Sequence, residues 1–169
     1  MSQRIVTFLI IALVFVLLIG CGERMTKEQL FATAEKYEME ENFEAAIKTY
    51  QKILKKYGDE ERADEAQHKI ALIYSNNLND FQKSVEMHEL VIKNYPDSKY
   101  AIQSLFMIGF IYANNIQDIE KAREYYEQFL QKYPKHELAT SVEWELKHLG
   151  EDINNIQFLE QAESPVSSK

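Results

Sequence analysis

FEAAIKTYQKILKKYG (Phe43–Gly58), FQKSVEMHELVIKNYP (Phe81–Pro96) and IEKAREYYEQFLQKYP (Ile119–Pro134) are three copies of one pattern, each starting 38 residues after the last. An apolar residue opens every copy, and Tyr followed by Gly or Pro closes it. Self-similarity at a fixed period of this size marks a stacked array, in which each unit buries its apolar face only against its neighbours. The expected fold class is therefore all-α, an α-solenoid built from helix pairs. Such arrays present surfaces more often than they carry out chemistry.

Working outward from these segments, each predicts the second helix of a pair. In the first, Phe43, Ala46, Ile47, Tyr50, Ile53, Leu54 and Tyr57 share one face at helical spacing. Asn42, Asp80 and Asp118 precede the three copies, again 38 apart, and their side-chain oxygens can accept from unpaired helix N–H groups. Thr26-Lys27-Glu28-Gln29 reads as a capping box that opens a first helix running to about Glu41. Asn76-Asn77 and Asn114-Asn115 are expected to make the turns inside the pairs, because Asn tolerates left-handed backbone. Small residues recur in couples: Ala34 with Ala46, Ala71 with Ser84, and Gly109 with Ala122. Two helices whose axes cross closely need such residues at the crossing.

These positions resemble the tetratricopeptide repeat, most clearly in the third unit. Leu105, Ile108, Gly109 and Tyr112 stand where that family has W-x2-L-G-x2-Y, and Ala122, Tyr126 and Pro134 stand at its later Ala, Phe and Pro. The first unit matches through Leu30, Ala34, Tyr37, Ala46, Tyr50 and Gly58, and the second through Ile70, Ala71, Tyr74, Phe81 and Pro96. The resemblance covers residues 26–149 as three tetratricopeptide-like helix pairs (26–58, 60–96, 98–134) and a C-terminal capping helix (137–149), with Gly150 as its stop. The family's usual period is 34, so one extra residue is expected inside the pair and three after the Pro. Endings such as Tyr95-Pro96-Asp97-Ser98-Lys99-Tyr100-Ala101 resemble repeats of two envelope families. These are the assembly lipoprotein of the outer-membrane BAM complex and the Tol–Pal coordinator protein.

The ends carry separate information. Arg4 followed by the apolar run Ile5 to Ile19 has the build of a secretory leader, shorter than the roughly 20 residues a spanning helix needs. Leu18-Ile19-Gly20-Cys21 then resembles a bacterial lipobox, which implies a signal peptide over 1–20 and a diacylglycerol with N-acyl chain on Cys21. Cys21 is the chain's only cysteine, so no disulfide within the chain is expected. By resemblance to enteric lipoproteins, Gly22 in place of Asp implies delivery to the outer membrane, facing the periplasm. In a single-membrane organism the equivalent place is the outer face of that membrane. Residues 21–25 form a short tether, and 150–169 a tail with one amphipathic stretch (152–162) and a disordered end (163–169).

Net charge is −8, and loss of residues 1–20 removes Arg4 alone to leave −9. That balance argues against nucleic acid as a partner and predicts repulsion from anionic headgroups. In arrays of this family the first helices line a concave face. The resemblance places Phe31, His68, Phe106 and Trp144 in one column of that groove; Glu35, Leu72, Phe110 and His148 in the next; and Met39, Asn76 and Asn114 deeper along. Rings flanked by amides suit a peptide or helix from another envelope protein. The alternatives are that these rings pack between helices, or that the tail's Ile156, Phe158 and Leu159 fill the groove. A further reading is a small-molecule site on the same aromatic face. Catalysis is not expected, since Cys21 is taken by lipid, the four His lack metal-type spacing and no phosphate-binding Gly-rich loop occurs. No metal and no further cofactor is expected.

Overall fold

The computed structural model describes residues 25–151, and among these seven α-helices and no strand occur. Three pairs come first: α1 (Lys27–Met39) with α2 (Phe43–Tyr57), α3 (Ala63–Asn76) with α4 (Phe81–Asn94), and α5 (Lys99–Ile111) with α6 (Ile119–Lys132). Helix α7 (Ala139–Lys147) closes the series. Each helix packs on the next in the chain, and α3 also touches α5, so one pair stacks on another. This is a solenoid, built from local contacts throughout. Cys21 and the tail segment 152–169 lie outside the described residues.

The capping signals act as their chemistry requires. Thr26 accepts from the Gln29 backbone while the Gln29 side chain accepts from the Thr26 N–H, a reciprocal cap on α1. Asn42, Asp80 and Asp118 accept from the N–H groups of Ala45, Lys83 and Lys121 at 3.3, 3.0 and 3.1 Å. Helix α1 ends at Met39, two residues short of the expected Glu41. The turns correct one expectation. Left-handed backbone falls on Glu41, Asn79 and Gln117, each one residue before its cap, and not on the Asn76-Asn77 or Asn114-Asn115 pairs. The reason is the cap itself, whose carbonyl already starts the next helix and leaves the reversal to the preceding residue.

The extra residue inside the pair is handled differently from unit to unit. In the first, the Asn42 N–H returns to the Tyr37 carbonyl, five residues back. In the second and third, Asp80 returns to Tyr74 and Asp118 to Tyr112, six residues back. The third unit absorbs its extra residue by widening the end of α5 into a π-helical turn over Tyr112–Ile116.

Small residues stand where the helices cross. Ala34, Ala46, Ala71, Ser84 and Ala122 are fully buried, and Ser84 Oγ donates to the Ala71 carbonyl across its crossing at 2.9 Å. At Gly109 a Cβ would lie 2.6 Å from the Tyr126 ring, closer than any side-chain carbon tolerates. The apolar core falls into two clusters. One joins Leu30, Phe31, Ala34, Ala46, Ile47, Tyr50, Ile53, Ala66, Ile70 and Ile73. The other joins Val85, Leu105, Ile108, Ile111, Tyr112, Ala122, Tyr126, Phe129 and Val142. Between them sits a polar layer, in which Ser104 of α5 lies 3.3 Å from His68 Nδ1 of α3 and 2.9 Å from His88 Nδ1 of α4.

Candidate functional site

Of the predicted groove residues, Asn114, Trp144 and His148 are brought to one cleft. An opening of about 470 Å³ runs between the π-helical turn and α7, lined among others by Asn114, Gln117, Trp144, Glu145 and His148. The turn positions one wall: its wider spacing carries Asn114 to the surface, where its amide donates to the Phe110 carbonyl at 3.0 Å. Among the described residues the amide oxygen of Asn114 has no donor of its own. Helix α7 supplies the other wall, with Trp144 40 % exposed and its indole lying 4.5 Å, ring to ring, from His148. His148 Nδ1 is 2.8 Å from the Trp144 carbonyl, and this contact fixes the pair one helical turn apart.

One turn before Asn114, Phe110 is 37 % exposed and packs at 6.2 Å against Phe106, which in turn lies 6.3 Å from Tyr126. Phe106 is half-buried and anchors the exposed ring. The cleft's acid is Glu145, half-buried, whose carboxyl is pushed above the usual range by desolvation, with His148 opposing the shift. An apolar ring with an amide oxygen and a reluctant carboxylate suits a neutral or basic polypeptide segment.

The remaining predicted groove residues do not join this cleft. Phe31 is 2 % exposed: its ring meets Tyr50 edge-on and is covered by the Arg62 guanidinium at 3.9 Å. Arg62 takes left-handed backbone between the first two units and grips Glu65 through two hydrogen bonds of 2.8 and 3.1 Å, so this lid is firmly held. His68 is 7 % exposed, between Tyr100 at 5.0 Å and His88 at 5.3 Å. Phe31 and His68 therefore belong to the interior, because the next unit folds over the column that sequence alone leaves open. Leu72 is half-buried on α3, and Asn76 is exposed at its end, where it accepts from Ser75 Oγ at 3.0 Å. Gln117 and Glu145 were missed by sequence reading; only the position of Gln117 directly before a cap signals it.

Burial sets the chemistry of the histidine layer. Desolvation, with Lys69 adding and Asp64 opposing, brings His68 down to about 4. Desolvation and then His68 bring His88 down to about 3. Both rings are neutral at ordinary pH, and His88 Nε2 has no hydrogen-bond partner among the described residues. No group of three or more metal-ligating side chains occurs among the described residues.

The tetratricopeptide repeat profile matches residues 30–59, 65–98 and 103–136, one match for each helix pair. The chain belongs to the tetratricopeptide repeat family. No curated protein matches it. Repeats of this kind serve as protein–protein interaction modules, and the π-helical turn with α7 borders one of this array's open clefts.

Proposed function

We propose that this chain is a lipid-anchored cell-envelope scaffold that captures another envelope protein through a peptide or helix at the cleft of the third repeat. The observation that carries the reading is the cleft where exposed Trp144 meets Asn114 and Gln117, with a second exposed ring, Phe110, one helical turn before Asn114. Exposed aromatics backed by packed neighbours are the usual anchors of protein interfaces. The anchor is Cys21, in its lipobox-like context Leu18-Ile19-Gly20-Cys21. A covalent lipid there places the array on the periplasmic face of the outer membrane, or on the outer face in a single-membrane organism. Resemblance of the Tyr95–Ala101 ending to repeats of the BAM assembly lipoprotein and the Tol–Pal coordinator directs attention to envelope assembly complexes.

Two measurements test this reading. Mass spectrometry of the chain from membranes should show acyl mass on Cys21. A photo-crosslinker at residue 110 should yield one dominant adduct that a probe at exposed Gln128 does not. Unmodified Cys21, or the same adducts from both probes, would remove the anchor or the cleft from the proposal.

A further inference from the structure

The outer surface of α2 breaks the repeat in charge. Lys48, Lys52, Lys55 and Lys56 face a single acid on that helix, Glu44. In the same register α4 and α6 carry Glu86 and Glu124 for Lys48, and Leu90 and Gln128 for Lys52. Both later helices balance their charges, whereas α2 has an excess of three positive charges within a chain of net −8. Four exposed lysines at positions i, i+4, i+7 and i+8 occupy one side of the helix. Among the described residues none of them has a carboxylate partner within salt-bridge reach.

This stripe lies where the chain enters the fold. Met25, Leu30, Lys52, Lys55 and Lys56 line an open cleft of about 580 Å³. The Met25 carbonyl accepts from Lys56 Nζ at 3.1 Å and from the Tyr57 hydroxyl at 3.2 Å, which fixes the entry point against α2. Met25 is itself 38 % exposed. Only Gly22, Glu23 and Arg24 separate it from Cys21, a reach of about 14 Å at full extension.

We infer that the Lys48–Lys56 face of α2, with Met25, docks on an anionic lipid surface and orients the array on its membrane. The inference rests on the lipid anchor at Cys21. Charge complementarity and the short tether identify the occupant: an acyl chain attached at Cys21 keeps the point where the chain meets this face within about 14 Å of the lipid. At physiological salt the Debye length is about 8 Å, so the acids of later repeats are screened from that surface while the lysines are not. Glu60 in the following turn is already paired with Lys27 at 3.2 Å. Lysine stems and Met25 supply apolar surface for the interfacial region. The overall negative charge, which on its own predicts repulsion, is thus outweighed locally. The proximal end of the solenoid thus lies against the bilayer.

The test uses the full acylated chain with one added cysteine, Gln51→Cys, beside Lys55 on α2. Lipid blocks Cys21, so a fluorophore labels residue 51 alone. The chain is reconstituted in phosphatidylcholine vesicles with or without phosphatidylglycerol, each containing a headgroup quencher. Quenching should be stronger with phosphatidylglycerol and should fall on raising salt. It should also fall in the K52Q/K55Q/K56Q variant, with the docked-to-free ratio dropping about fivefold per lysine removed. A label at Gln128→Cys should report no lipid dependence. A chain that floats with both vesicles but shows equal quenching, or quenching indifferent to the triple variant, overturns docking and leaves the anchor standing. A chain that floats with neither and carries unmodified Cys21 overturns both. Loss of protein capture in the triple variant with unchanged quenching overturns docking and assigns the face to an acidic protein instead.

Discussion

The first and third repeats put the same pattern to opposite uses. In the first, every special group is covered: Phe31 lies beneath Arg62, and the buried Tyr50 hydroxyl donates to the Glu38 carboxylate. In the third, the equivalent ring Phe106 is half-buried and carries exposed Phe110 against it, and the buried Tyr126 hydroxyl finds no partner among the described residues. The turn that is tight after Tyr37 is a π-helical bulge after Tyr112. The first repeat is finished as structure, with its irregularity in surface charge. The third leaves polar and aromatic groups unspent at a cleft. A fold that stacks near-identical units therefore marks function by where it departs from its own repeat.

The sharpest way to break this comparison is the helix crossing of the third repeat. Gly109 has no counterpart of equal tightness, because the Tyr126 ring occupies the space a Cβ would need. Gly109→Leu should cost about 3 kcal/mol or more through overpacking, and Gly109→Ala about 1–2 kcal/mol. Urea denaturation measures both. Adding Tyr126→Leu to Gly109→Ala should restore part of the loss, and an unaffected melt in the single variants would deny that α5 and α6 cross here.

Acid attacks the layer between the two clusters. His68 and His88 titrate at about 4 and about 3 in the fold, below the usual 6.5 of an exposed imidazole. Above pH 6.5 both states are unprotonated at these rings and stability is at its full value. As pH falls further, the unfolded chain binds protons that the folded chain refuses. Each ring should then remove up to about 1.4 kcal/mol per pH unit until its folded value is reached. Unfolding free energies at pH 7, 6 and 5 should show this slope, and His88→Tyr, which restores the residue type at positions 50 and 126, should lessen it. The same slope in the variant would mean that His88 takes no part in the acid sensitivity.

A smaller contrast sits at the two tyrosines. Tyr50→Phe removes a hydroxyl bonded to a carboxylate, and the fold should lose about 1–2 kcal/mol. Tyr126→Phe deletes a buried hydroxyl with no partner among the described residues and should be neutral or stabilising by about 1 kcal/mol. Equal effects at both sites would erase the distinction between the repeats.

Periodicity made the helices, caps and crossings readable, because these depend on local spacing: Thr26, Asn42, Asp80, Asp118 and Gly109 all act as their positions imply. The candidate site was legible only in part. Column arithmetic treats every repeat as equally open, so it placed Phe31 and His68 beside Phe106 and Trp144. What covers a column comes from the turn between units, here Arg62, and from the identity of the residue opposite, here Ser104 and Tyr100. Neither is periodic. The π-helical turn was equally hidden, since a surplus residue can be absorbed as a loop, as after Tyr74, or within the helix, as after Tyr112.

The smallest effect on the fold is expected where the functional effect is largest. Phe110→Ala with Asn114→Ala removes an exposed ring and an amide bonded to the carbonyl one turn back. Phe106 remains to cover Tyr126, so the loss of stability should stay near 1 kcal/mol or below. Capture of a protein partner should fall about tenfold or more, since exposed aromatic anchors dominate such interfaces. The matched change in the second repeat, Leu72→Ala with Asn76→Ala, lies outside the cleft and should leave capture within about twofold. Crosslinking yield and thermal melts on both double variants decide the matter. If the second-repeat pair weakens capture as much as the third-repeat pair, the partner runs along the whole column and the cleft holds no special place.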